Sequence, residues 1–140
     1  MSGELDRALA AEHAAIFAYG PIGVRLTGAA AREARAAETA HRARRDALVV
    51  QLTAGGATAA PAAPSYTLPF PVTDAAAALR LAVEIEERTA AVWRAALAAT
   101  SGAERTQVLA GLTDAAVRAT RWRRLAQVTP ATVAFPGRVV

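Results

Sequence analysis

The stretch GGATAAPAAPSYTLPFPVT, residues 55–73, decides the fold: Gly55-Gly56 and the prolines at 61, 64, 69 and 71 keep it from being helical. Around it lie four alanine-rich segments, at about residues 3–27, 29–54, 74–100 and 103–128, each read as a long helix. Thr27-Gly28 parts the first two and Ser101-Gly102 the last two, so each pair is an antiparallel hairpin. Thr73-Asp74 reads as an N-cap for the third helix, and Pro130 stops the fourth. A helix of about 25 residues is about 37 Å long. An extended Pro-rich linker at about 3 Å per residue can return along that length. The expectation is an all-α four-helix bundle of two antiparallel hairpins joined by a long crossover, distinct from an up-down-up-down bundle with three short loops. Tyr66, Leu68 and Phe70 alternate along the crossover and are expected to dock on the bundle.

At 140 residues without cysteine, the chain is read as one domain, 1–140, with a C-terminal tail over 129–140. The absence of cysteine excludes thiol and disulfide chemistry and agrees with a reducing, cytoplasmic setting. The start Met1-Ser2-Gly3-Glu4 is unlike a secretory leader, and the long uncharged stretch from Ala47 to Thr73 is too rich in glycine and proline to span a membrane. The formal net charge is +4, carried entirely by arginine.

Leu5, Leu9, Glu12, Ile16, Tyr19 and Gly23 follow alternating steps of four and three, a bundle seam with a carboxylate inside it. Leu79, Val83, Glu86, Ala90, Trp93 and Leu97 repeat it, with an aromatic again seven residues after the acid. On the second helix Glu38-Thr39-Ala40-His41 sets a carboxylate and an imidazole about one turn apart, which is metal-ligand spacing. Setting Glu38 against Asp114 brings Arg42 to Arg118, Arg45 to Arg121 and His41 to Val117. A duplicated hairpin is implied, with Val117 standing where a second histidine is expected.

The whole chain resembles the ferritin-like superfamily. The stretch Ala11-Glu12-His13-Ala14-Ala15-Ile16-Phe17-Ala18-Tyr19-Gly20, with Trp122-Arg123-Arg124, is similar to the actinobacterial ferritin-like family DUF4439, a domain of unknown function. The superfamily's di-iron pattern of Glu, Glu-x-x-His, Glu, Glu-x-x-His is matched by Glu12, Glu38, His41 and Glu86. Asp114 is a shortened match and Val117 departs from the pattern. The resemblance implies an Fe or Mn site on those four matching residues; the missing histidine argues for a degenerate one. His13 sits about 100° around its helix from Glu12 and does not replace it.

Two phasings of the second helix compete. One turns Glu38 and His41 inward, with Leu48 and Leu52 on the same stripe; the other buries Ala36, Ala40, Ala43, Ala47 and Val50 and leaves Glu38 to pair with Arg42 in solvent. The first is favoured because leucine burial outweighs alanine burial. Buried acids need a counter-charge, and Arg45 and Arg121, at matching positions, are expected to supply it in place of metal. Glu84 and Glu87 are expected to pair locally with Arg88 and Arg94, and Gly20-Pro21 to kink the first helix. Arg118, Arg121, Arg123 and Arg124 offer a nucleic-acid surface, for which a solvated last turn is the simpler reading. No phosphate loop, catalytic triad or zinc spacing is present. The leading expectation is a cofactor-free binding or scaffold homodimer; the alternative is a metal-dependent oxidoreductase with a mononuclear or asymmetric Fe or Mn site on Glu12, Glu38, His41 and Glu86.

Overall fold

A computed structural model describes residues 2–139. Four helices, α1 (Ser2–Gly23), α2 (Gly28–Ala54), α3 (Ala75–Leu97) and α4 (Gly102–Leu125), form the expected all-α bundle. α1 packs on α2 and on α3, and α3 packs on α4, whereas α2 and α4 scarcely meet. None of the helices is long and apolar enough to cross a membrane among the described residues.

Helix ends follow local chemistry. Asp74 caps α3, its carboxylate accepting from the Ala77 amide at 2.8 Å. α1 runs through Pro21, whose missing amide hydrogen costs one rung, and stops at Gly23, short of the expected Thr27. Thr27 and Ser101 are extended N-cap residues, each followed by a glycine at positive φ, Gly28 (57°) and Gly102 (55°).

The crossover climbs the bundle beside α1. Ala60 accepts a hydrogen bond from buried His13, Tyr66 packs on Phe17 with ring centroids 5.4 Å apart, and Val72 accepts from Arg25. Leu68 and Phe70 pack against the core as expected.

The core is divided. One apolar cluster joins Tyr19, Ile22, Ala37, Leu81 and Trp122; the other joins Leu5, Leu9, Leu48, Trp93 and Val108. Tyr19, Trp93 and Trp122 are its largest buried side chains, and each such residue contributes roughly 1.5–3 kcal/mol of burial, which compensates for the many small alanines. Between the clusters lies a layer of charge.

Candidate functional site

Glu12 from α1, His41 from α2 and Glu86 from α3 meet at mid-bundle, with exposures of 0%, 1% and 0%. The seams expected for α1 and α3 place both glutamates inward. On α2 the buried residues are Ala34, Ala37, His41, Leu48 and Leu52, so the stripe shared by His41 and the leucines is the inward one. His41 Nδ1 lies 2.5 Å from Glu12 Oε2, and its Nε2 lies 2.7 Å from Glu86 Oε1. Ionised carboxylates only accept, so the contacts are satisfied when both ring nitrogens carry a proton. Burial works against that charge, but hydrogen bonds to Glu12 and Glu86 overcome it and push the His41 pKa up to about 9.

Each glutamate is also held by an aromatic donor from the other hairpin. Trp93 Nε1 donates to Glu12 Oε1 at 2.8 Å, and the Tyr19 hydroxyl donates to Glu86 Oε1 at 3.0 Å while accepting from Trp122 Nε1 at 2.9 Å. Burial, then the Glu86 charge, raises the Tyr19 pKa well above its usual value. The Arg118 guanidinium, 6% exposed, donates to Glu86 at 3.3 Å and to both oxygens of Asp114 at 3.0 Å. Arg44 adds a 3.3 Å contact to Asp114. Burial raises the Asp114 pKa, but Arg118 and Arg44 outweigh it and hold the carboxyl below the usual range. Glu12, Glu86 and Asp114 are thus matched by His41, Arg118 and Arg44.

Several expectations need correction. Glu38 is not in this layer: it lies about 60° around α2 from the buried face, where it accepts from Arg42 at 2.6 Å and 3.0 Å with its side chain 33% exposed. Val117 fills no interior space; it is 46% exposed, because the buried face of α4 is Val108, Gly111, Ala115, Arg118, Ala119 and Trp122. Neither Arg45 nor Arg121 reaches the acids. Arg45 pairs with Asp46 at 2.9 Å, and Arg121, 58% exposed, lies 3.6 Å from Glu33. Arg118 performs that role instead. The basic cluster on α4 also divides, since Arg118 and Arg123 are buried and paired, leaving Arg121 and Arg124 outside. Arg88 pairs with Glu84 as expected, but Glu87 pairs with Arg123 at 2.5 Å.

The duplicated hairpin has one register throughout, and it differs from that obtained by setting Glu38 against Asp114. Glu12 corresponds to Glu86, Tyr19 to Trp93, Thr27 to Ser101 and Gly28 to Gly102, each pair separated by 74 residues (12 to 86, 27 to 101). Carried into α2 and α4, it pairs Ala34 with Val108, Ala37 with Gly111, His41 with Ala115 and Leu48 with Trp122, all buried. Arg44 then matches Arg118. The counterpart of His41 is Ala115, not Val117. The signal for Arg118 was therefore in the sequence, in the repeated Thr-Gly/Ser-Gly link that fixes the register.

A di-metal centre does not fit these residues as they stand. Both imidazole nitrogens face carboxylates, and while the ring carries both protons neither offers a metal a lone pair; a guanidinium also already contacts Glu86.

Fold and site together define a four-helix bundle with a buried layer of compensated charge. Residues 4–140 match the family described as Domain of unknown function (DUF4439), and the chain belongs to that family. It is also similar to a solved structure, the conserved hypothetical protein rv2844 from Mycobacterium tuberculosis, with 41% sequence identity and a TM-score of 0.85 over 89% of this chain and 95% of that one. No curated protein matches.

Proposed function

We propose that this protein is a non-catalytic binding or scaffold protein on a ferritin-like bundle, in which a proton on His41 and the guanidinium of Arg118 replace the metal ions of the di-iron pattern. One observation carries the reading: the imidazole is clamped between Glu12 and Glu86 through both nitrogens. Metal-dependent oxidation chemistry needs at least one ligand lone pair and an open coordination position. Here each buried oxygen of the two glutamates accepts from a protein donor. A mononuclear Fe or Mn site would need Glu38 to leave Arg42 and turn inward, and His41 to release a carboxylate.

Homodimer formation through the open α2/α4 side is part of the proposal. Ala43 and Ala47 of α2 line the groove toward α4 with Gln107 and Asp114, and Ala36 and Val50 are exposed beside them on α2, giving a face of small residues suited to isologous pairing. Metal analysis of protein purified without chelators, followed by titration with Fe(II) and Mn(II), tests the first part. The expected result is far less than one metal per chain and no saturable uptake; stoichiometric metal lost in His41→Ala would overturn it. Sedimentation mass tests the dimer, and a monomer at micromolar concentration contradicts it.

A further inference from the structure

The C-terminal tail, which has no hydrophobic periodicity, is anchored at two points. Arg123, 5% exposed, donates to the Ala131 carbonyl at 3.3 Å, and Arg94 donates to the Pro136 carbonyl at 3.0 Å. At the second anchor the chain presses so close to α3 that a Cβ on Gly137, where φ is 77°, would sit 2.6 Å from the Ala90 carbonyl oxygen. Between the anchors residues 132–135 arch over α3 and α4 and leave a cavity of about 550 Å³. Its walls are chiefly Ala91, Ala116, Val117, Val133 and Phe135, and the last three are exposed by 46%, 46% and 58%. These apolar side chains, beneath and along an arch fixed at both ends, line a half-open pocket. Its volume lies within the range of small-ligand sites, roughly 300–1,000 Å³.

We propose that this cavity binds a small apolar ligand bearing one carboxylate, the apolar body under the arch and the carboxylate on Arg123. The polarity comes from the wall: Arg123, Glu87 and Arg138 line the cavity, and Arg138 lies over the Phe135 ring at 5.7 Å on its outer rim, so Arg123 is the buried cation of the three. The arginine is fixed and nearly buried, whereas the Glu87 side chain is 50% exposed. Glu87 can turn to water and yield the guanidinium, which binds carboxylates through a planar fork. An incoming carboxylate then takes the place of Glu87 without leaving a buried charge unpaired.

Calorimetric titration of the full chain with decanoate, 2-naphthoate and decanol tests this. Saturable one-to-one binding of at least one carboxylate is expected, with decanol weaker by about tenfold or more. Ala116→Phe, which fills the cavity, should weaken binding by at least about tenfold, and Ala91→Phe does the same from another wall should the first variant fold poorly. Glu87→Gln should strengthen carboxylate binding several-fold, while Arg123→Gln should remove the preference for carboxylate over alcohol. No saturable binding of either carboxylate, binding untouched by both phenylalanine variants, or equal affinity for decanoate and decanol overturns the proposal. So does a dimer that Ala116→Phe breaks without any ligand binding, because a second copy then covers the arch.

Discussion

The two hairpins of this bundle correspond position by position, agreeing on one side and diverging on the other. α1 and α3 keep the same plan, a buried glutamate followed seven residues later by an aromatic ring, and each ring bonds the glutamate of the other copy. α2 and α4 differ: His41 faces Ala115, Ala40 faces Asp114, Ala37 faces Gly111 and Leu48 faces Trp122 across the repeat. The difference teaches how a charged layer stays neutral when its symmetry is lost. The first copy contributes the His41 imidazolium and the Arg44 guanidinium, and the second the Arg118 guanidinium with an added aspartate.

Making the copies alike at their most divergent position should have the largest effect. His41→Ala gives α2 the residue of α4 and leaves Glu12 and Glu86 with no cation between them. Breaking a buried pair in this way costs about 3–5 kcal/mol, a large share of a small domain's stability. Urea denaturation measures it, and a loss under about 1 kcal/mol would mean that the glutamates do not depend on the imidazole. Adding Glu12→Gln should recover part of the loss.

A smaller effect is expected where the copies compensate in size. A Cβ on Gly111 would lie 2.5 Å from the Trp93 ring, whereas the first copy combines Ala37 with the smaller Tyr19. Gly111→Ala should cost about 1–3 kcal/mol by overpacking. Combining it with Trp93→Tyr, so that the second copy takes the pair of the first, should cost less than the two changes summed; additivity in a double-mutant cycle would break the comparison.

The smallest effect probes where the copies agree. Gly28 and Gly102 both begin a helix at positive φ with open space around them. Replacement of either by alanine should lower stability by about 1 kcal/mol, and by similar amounts in thermal unfolding. A difference of more than about 1 kcal/mol between them would show that the two links are not equivalent.

The contrast between helices also explains what was legible beforehand. The prolines of the crossover and the leucine-bearing seams of α1 and α3 announce topology and the two inward glutamates, because their chemistry admits few alternatives. α2 yielded His41 through Leu48 and Leu52, but Glu38 lies at the edge of the buried face, where a long side chain reaches both water and Arg42. On α4 the larger apolar residues Val108, Leu109, Leu112, Val117 and Trp122 are spread around the helix, so hydrophobic spacing alone does not fix the phase. Asp114 pointed to the wrong stripe and put Val117 inside. The interior role of Arg118 escaped because an arginine pattern reads as surface until a buried acid is shown to receive it. The tail, with no periodicity, carried no readable signal for its two anchors.

The protonation of His41 decides between a proton-compensated layer and a metal centre. Since its folded pKa of about 9 lies above the ordinary 6.5, its contribution to stability is complete below about pH 6.5 and is lost as the pH rises through about 9. The loss is on the order of 3 kcal/mol. Nitrogen-edited NMR of the ring, followed from pH 6 to about pH 10, observes this state directly. The expected result is two protonated ring nitrogens at neutral pH and a midpoint near 9. A neutral imidazole at pH 7 with a midpoint at or below the ordinary value, or a ring nitrogen bound to metal, would contradict the account.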